Sequence, residues 1–250
     1  MALSIIVANW KMYVAYTQAL DFIKTYYHEL GALGQQHNRL IVLCPSFELL
    51  QPITQLMPST PSSVAFGAQD CSAHQLGAHT GQVSALSLAQ LGCSYCIVGH
   101  SERRSEYRET SELIAQKVER LLEQNITPIV CIGEDEHTYR AGKTHAALEE
   151  QLRPVLAQVH DNNTCIYYAY EPVWAIGSGI IPDEVYLKSI FSGLANYLSM
   201  SGQSFKLLYG GSVTAALMPM LANIEELDGV LVGGASVDFQ KFKNIVSWNK

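Results

Sequence analysis

The chain has 250 residues, of which 48% are hydrophobic, and it carries a formal net charge of −7. That size fits one large α/β domain or two small ones, and the apolar fraction suffices for a packed core. The negative charge argues against a nucleic-acid or anionic-membrane surface, but it leaves room for a small anionic substrate. No basic leader opens the chain, and no stretch reaches the ~20 apolar residues of a membrane span.

The six cysteines favour a reducing compartment. They are scattered along the chain, which is typical of reduced cytosolic thiols rather than of a disulfide framework. Cys93 and Cys96 form a CxxC pair, but a second pair at zinc-site spacing is missing, so buried structural thiols are favoured over a metal site. We therefore expect a cytoplasmic protein without a metal centre.

Short apolar runs, each followed by a longer amphipathic or polar segment, recur along the whole chain. Their Ile, Val, Leu and Tyr content is typical of parallel strands covered on both faces by helices. No linker or composition shift divides the chain, so we expect a single domain over residues 1–250. Eight such units predict a (β/α)8 TIM barrel of eight parallel strands, each followed by a helix; a doubly wound sheet is the alternative, since periodicity does not show closure. The predicted strands are residues 4–8, 40–43, 64–68, 95–98, 127–132, 165–170, 205–209 and 229–232.

Two of the intervening segments carry clear helix signals. Residues 112–122 place their apolar side chains on one stripe, and Ser111 is well placed to cap that helix. Pro182, followed by two acidic residues, predicts the start of another helix that runs to about Met200.

Chemistry-capable side chains follow the strands at the end of the barrel where active sites lie. Lys11 lies one step beyond the first strand, beside Asn9; it is either a solvated surface lysine or a group that holds a substrate anion. His100 follows the fourth strand. It is either a catalytic histidine or a structural one. If Ser101 begins a short helix, the helix N-terminus disfavours imidazolium and leaves a neutral imidazole that donates a hydrogen bond and shuttles protons.

Residues 168–179 put Glu171 at the end of an apolar run, followed by Pro172 and a glycine-bearing loop. This pattern predicts a catalytic base on rigid structure beside a mobile flap; the alternative is a strand-capping carboxylate before an ordinary connection. Glycine pairs at residues 210–211 and 233–234 follow the last two strands, where barrels often seat phosphate on backbone N–H groups. No Walker sequence and no GxGxxG follows the first strand, so no nucleotide cofactor is expected.

Together these residues resemble the triosephosphate isomerase family, and the resemblance runs from Ala8 to Ser236. The matching segments occur in order and at the family's spacing, which makes chance agreement negligible. They are residues 9–11, 67–69, 77–81, 98–104, 131–134, 170–179, 209–213 and 229–236.

The resemblance implies an isomerase that interconverts dihydroxyacetone phosphate and D-glyceraldehyde 3-phosphate through an enediolate, without cofactor or metal. It implies that Glu171 is the base that moves a proton between C1 and C2, and that His100 is the electrophile that polarises the carbonyl. Lys11 would balance the charge on the phosphate and enediolate, Asn9 would orient the substrate, and Glu102 would support this cluster.

The phosphate would lie against backbone N–H groups of Gly177, Ser212, Gly233 and Gly234. Because an enediolate phosphate eliminates phosphate in water, the flap has to close over the substrate. The flap comprises Pro172, Val173, Trp174, Ala175, Ile176, Gly177, Ser178 and Gly179. Its second hinge, residues 179–182, is shorter and more apolar than in many members, so we expect a different rate of flap opening and an unchanged chemical step.

The resemblance also implies a homodimer, with Thr80, Gln82 and Arg103 at the interface. Gln82 stands where the family commonly has a glutamate that pairs across the dimer with the arginine matching Arg103. We therefore expect Arg103 to keep at best a neutral hydrogen bond and the interface to be weakened by one ion pair. Asp70, where asparagine is common, adds an acidic group nearby.

Two other functions remain as alternatives. One is a different barrel isomerase of phosphorylated sugars that shares the phosphate site but uses other bases. The other is a catalytically silent family member kept as a binding protein. The flap with Glu171 and the run of residues 100–102 argue against the first alternative. The presence of Lys11, His100 and Glu171 argues against the second.

Overall fold

A computed structural model of the chain describes residues 3–56, 63–159 and 164–249. Across those ranges eight parallel strands pair in sequence order, and the first strand also pairs with the last, which closes the sheet. This closure confirms the predicted (β/α)8 barrel and excludes the doubly wound sheet. Five predicted strands agree with the structure to the residue, and three differ by one residue at one or both ends. The strands are β1 (Ile5–Asn9), β2 (Leu40–Cys44), β3 (Val64–Ala68), β4 (Tyr95–Val98), β5 (Thr127–Ile132), β6 (Cys165–Tyr170), β7 (Ser204–Tyr209) and β8 (Gly229–Val232).

Helices connect the strands and cover the outside of the barrel. No helix within the described ranges is long and apolar enough to cross a membrane. Short 3-10 turns follow β6 and β8, at Val173–Ala175 and Gly234–Val237. The helices are α1 (Tyr16–Gln36), α2 (Phe47–Leu56), α3 (Ala85–Gln90), α4 (Ser101–Glu106), α5 (Ser111–Glu123), α6 (Glu136–Arg140), α7 (Thr144–Leu156), α8 (Glu184–Met200), α9 (Met218–Leu221) and α10 (Phe239–Val246).

The two helices predicted from their sequence signals are present, with one correction at a cap. Asp183 caps α8, because its Oδ1 accepts a hydrogen bond from the Tyr186 N–H at 2.8 Å. The predicted cap Ser111 is instead the first residue of α5. Thr110 caps this helix, since its Oγ1 accepts from the Leu113 N–H at 3.2 Å.

The strands are buried on both faces, which explains their continuous apolar sequences. In β1, Ile5 and Val7 belong to the apolar cluster inside the barrel, whereas Ile6 and Ala8 belong to the cluster shared with the helices. This alternation is the period of two expected of a strand. The CxxC cysteines are buried as predicted, and burial raises the pKa of Cys93 to about 12.

A buried arginine ties the last helix to the beginning of the barrel. The Arg39 guanidinium donates to the Leu3 carbonyl at 3.2 Å and to the Ile245 carbonyl at 3.0 Å. It also donates to the carbonyls of Val246 and Trp248. Burial lowers the pKa of this arginine, and these main-chain carbonyls replace the water that the guanidinium loses.

Candidate active site

The carboxyl ends of the strands surround a cavity of about 460 Å³. The fold brings predicted site residues from distant parts of the chain together in the wall of this cavity. Glu102, the predicted supporting carboxylate, lies beside it and contacts Lys11. The predicted residues in the wall are Asn9, Lys11, His100, Glu171, Gly177, Ser212, Gly233 and Gly234.

Lys11 is held in an unusual backbone conformation just after β1. Its φ of 47° lies in the left-handed region, which a residue with a Cβ adopts only when its surroundings stabilise it. Its N–H donates to Asn9 Oδ1 at 3.1 Å, and its carbonyl accepts from Gln69 Nε2 at 2.9 Å. The ammonium lies 2.6 Å from Glu102 Oε1. These contacts fix both ends of the lysine, so its charge is held at the cavity.

His100 lies at the N-cap of α4, and its hydrogen bonds define the tautomer. Ser101 is the first residue of this short helix. His100 Nδ1 accepts from the Glu102 N–H at 3.3 Å, so this nitrogen carries no proton. Nε2 therefore carries the proton and donates to Glu171 Oε1 at 2.9 Å.

Glu171 follows β6 and is 2% exposed. Its second oxygen, Oε2, accepts from the Ser101 N–H at 2.8 Å. Two glycines make room for it: a Cβ at Gly133 would lie 1.8 Å from the Glu171 carbonyl oxygen, and one at Gly210 would lie 2.8 Å from Glu171 Cγ. Both positions therefore need glycine for the carboxylate to lie beside His100.

The flap is tied to the barrel through Glu134, to which the sequence assigns no role beyond its place after β5. Glu134 is buried, and its Oε1 accepts from Trp174 Nε1 and from the Tyr186 hydroxyl, both at 2.8 Å. The Tyr170 hydroxyl donates to the same oxygen at 3.0 Å. The Trp174 ring also stacks on Tyr139, with centroids 4.0 Å apart. An acidic residue two positions after an apolar strand, with a tryptophan in the flap after the next strand, is the signal that points to this contact.

Arg103 corrects one expectation, because it keeps two charged partners within its own chain. Its Nη2 lies 2.8 Å from Asp70 Oδ2 and 2.7 Å from Glu109 Oε1. The buried Lys117 bridges the same two carboxylates at 2.6 Å each. Burial raises the pKa of Asp70, whereas hydrogen bonds from Lys117 and Arg103 outweigh burial and lower the pKa of Glu109. The four side chains form an alternating ring that joins the end of β3 to α4 and α5.

The predicted interface residues lie around a second surface cavity of about 450 Å³, which also borders this ring. Thr80, Gln82 and Arg103 all contribute to its wall. The loop after β3 is stiffened by stacking of His74 on His79, with ring centroids 3.7 Å apart.

Comparison with known proteins decides the family of this chain. A family model described as triosephosphate isomerase matches residues 4–249. The chain belongs to the triosephosphate isomerase family. A relative named triosephosphate isomerase from Aquifex aeolicus is 37% identical over 246 residues, which cover 97% of this chain and 98% of the relative. Proteins of the same name from Roseiflexus castenholzii and Colwellia psychrerythraea are 37% and 36% identical, with 97% and 98% of this chain and 96% of each relative covered.

Membership in the triosephosphate isomerase family agrees with the geometry of the cavity. The residues through which the sequence resembles the family, Lys11, His100 and Glu171, lie within one site although the chain separates them widely.

Proposed function

We propose that this chain interconverts dihydroxyacetone phosphate and D-glyceraldehyde 3-phosphate by proton transfer through an enediolate. The observation that carries this proposal is the 2.9 Å contact between His100 Nε2 and Glu171 Oε1, in the same cavity wall as Lys11. This reaction needs a base that removes a proton from the carbon next to a carbonyl and a donor that polarises the carbonyl oxygen. A carboxylate beside a neutral histidine supplies both, and triosephosphate isomerase is a standard example of this pairing.

Each side chain then has a step that its position supports. Glu171 leaves the Ser101 N–H and His100, and it takes the proton from one substrate carbon and returns it to the other. His100 donates its Nε2 proton to the substrate oxygen where negative charge develops. It then takes the proton of the neighbouring substrate hydroxyl, which restores the histidine and completes the transfer between the two oxygens. Lys11 stabilises that charge electrostatically, while Glu102, 2.6 Å away, keeps the ammonium in position.

The phosphate binds to backbone rather than to a cluster of basic side chains. The N–H groups proposed to hold it belong to the loops after β7 and β8 and to the flap, all in the cavity wall. Closure of the flap excludes water, which protects the enediolate and strengthens each electrostatic contact. The short hinge at residues 179–182 belongs to this proposal, since it would change the rate of opening and not the proton transfers.

We further propose that the protein works as a homodimer in the cytoplasm. Met12 and Tyr107 are exposed beside the site, at 94% and 64% of their surface, and Leu76 in the loop after β3 is 68% exposed. Met12 and Tyr107 line a cavity of about 400 Å³ beside Lys11 and Glu102. Covering these side chains with a second copy would remove them from water. Sedimentation of the protein as a monomer at micromolar concentration would contradict this part of the proposal.

The decisive experiment is turnover of D-glyceraldehyde 3-phosphate in metal-free buffer by the parent and by Glu171→Asp. This change keeps the carboxylate but withdraws it by one methylene, so we expect a loss of at least ~10²-fold in kcat. The control is Glu136→Asp, the same change on the surface of α6, which should leave turnover unchanged. If the folded parent and Glu171→Asp are equally inactive, the protein is a catalytically silent binding protein instead.

A further inference from the structure

The cavity extends past the reacting residues to a rim formed by the start of α10. Among the described residues, Lys11 and Lys241 supply the basic side chains of its wall. The two lysines differ in how far their charge is compensated. Lys11 is 18% exposed and lies 2.6 Å from Glu102, whereas the Lys241 side chain is 70% exposed. Lys241 is therefore the more solvent-accessible positive charge at this opening.

Lys241 has a single weak carboxylate contact in the described residues. Its Nζ lies 3.3 Å from Asp238 Oδ2, one turn earlier in the same segment. Such an exposed pair contributes little, because water and salt screen it. Asp238 has a separate role as the N-cap of α10, since its Oδ1 accepts from the Lys241 N–H at 3.1 Å. The ammonium of Lys241 can therefore leave Asp238 without unwinding the helix.

Charge makes this rim important for an anionic substrate. The chain as a whole carries −7, so a phosphate ester approaches against the net charge of the protein. A cation at the mouth of a cleft raises the local concentration of the anion and its rate of association. An ammonium on a flexible stem suits this task, because it follows a phosphate as a point charge without a fixed geometry.

We propose that Lys241 determines the capture of the substrate phosphate at the mouth of the active site and that Asp238 moderates it. This inference rests on the proposed function and deepens it. Lys241 acts before the chemical step, so it changes kcat/KM and leaves kcat nearly unaffected. Its effect depends on ionic strength, because the Debye length falls from about 30 Å at 0.01 M salt to about 8 Å at 0.15 M.

The test compares kcat/KM for D-glyceraldehyde 3-phosphate in the parent, Lys241→Gln and Asp238→Asn at about 0.01 M and about 0.15 M ionic strength. At low salt we expect Lys241→Gln to lower kcat/KM about 3-fold and Asp238→Asn to raise it about 2-fold, both with unchanged kcat. Asparagine keeps the helix cap. At the higher salt both differences should largely disappear.

The matched control is Lys243→Gln, two residues along the same helix, whose Nζ lies 2.6 Å from Glu29 and which is outside the cavity wall. If Lys241→Gln and Lys243→Gln behave alike at low salt, or if the effect of Lys241→Gln is the same at both salt concentrations, the inference is wrong. Binding of inorganic phosphate, measured by calorimetry on the same variants, separates this result from the proposed function. If the parent showed no turnover, the proposed function would be wrong. The role of the rim would still be decided by comparing the affinities of the parent and Lys241→Gln for inorganic phosphate at low salt.

Discussion

The two walls of the cavity are built from different parts of the chain. One wall consists of the side chains of Lys11, His100 and Glu171, each held by hydrogen bonds or ion pairs to neighbouring groups. The other is formed by the flap and by the loops after β7 and β8, and it is rich in glycine, where the backbone is accessible to a ligand. Side chains fixed in this way give a precise arrangement for proton transfer, but they tolerate little change. Backbone groups bind a phosphate in any sequence that keeps the loop conformation.

The largest loss of activity is expected when the cation of the side-chain wall is removed. We expect Lys11→Met to lower kcat by ~10³-fold, because the developing negative charge then lacks its stabilising group. Lys24→Met, which removes an exposed lysine of α1, should change kcat less than twofold. Steady-state kinetics of both variants, with circular dichroism as a check on folding, measures the difference. If Lys11→Met and Lys24→Met had equal kcat values, the side-chain wall would not supply the charge stabilisation proposed for it.

Adding a methyl group at two glycines of the second wall sharpens the comparison, because only one of the two reaches a side chain of the first wall. Gly210→Ala places a Cβ 2.8 Å from Glu171 Cγ, so the base has to shift, and we expect a loss of ~10²-fold in kcat. At Gly234 the nearest atom to an added Cβ is Tyr13 Cε2 at 3.9 Å, so Gly234→Ala should mainly raise KM and leave kcat within a few-fold of the parent. If Gly234→Ala had the lower kcat of the two variants, the assignment of proton transfer to the first wall and phosphate binding to the second would be wrong.

The charged ring behind the side-chain wall gives a test on stability. Asp70→Asn leaves Lys117 and Arg103 with one shared carboxylate, Glu109. We expect a loss of about 2 kcal/mol in the free energy of unfolding, since a buried ion pair becomes a hydrogen bond from a cation to a neutral amide. Urea denaturation monitored by tryptophan fluorescence measures it. An unchanged midpoint would mean that Glu109 alone suffices, and Glu119→Gln on the exposed side of α5 serves as the control.

The smallest expected effect concerns the flap. Trp174→Phe removes the donor to Glu134 and keeps a ring that stacks on Tyr139, whereas Tyr186→Phe removes a different donor to the same oxygen. Each should cost about 1 kcal/mol in stability. The tryptophan change alone should also shift kcat/KM, by about 5-fold, because only Trp174 belongs to the flap. Equal kinetic effects of the two variants would show that Glu134 does not act through the flap.

Local sequence patterns predict most of the secondary structure and the barrel topology of this molecule. The apolar runs locate β3 through β6 and β8 to the residue, since strands buried on both faces leave continuous hydrophobic stretches. Residues within two positions of the strand ends, such as Lys11 and Glu171, then meet because a barrel aligns its carboxyl ends.

Contacts between distant side chains are not predictable in the same way. The partners of Arg103 include Asp70, on another element, and the cap of α5 is Thr110 rather than its equally polar neighbour Ser111. Such choices depend on backbone geometry that composition and periodicity do not contain.

The pairing of β1 with β8 has a consequence for how this protein is made. Ile5 emerges from the ribosome early, but its partner Gly229 follows only after most of the chain. At typical translation speeds that interval is on the order of ten seconds or more. Throughout it, one edge of β1 is unpaired, and the Arg39 guanidinium lacks the carbonyls that α10 supplies. The nascent chain is therefore open to strand addition by other chains until synthesis is nearly complete.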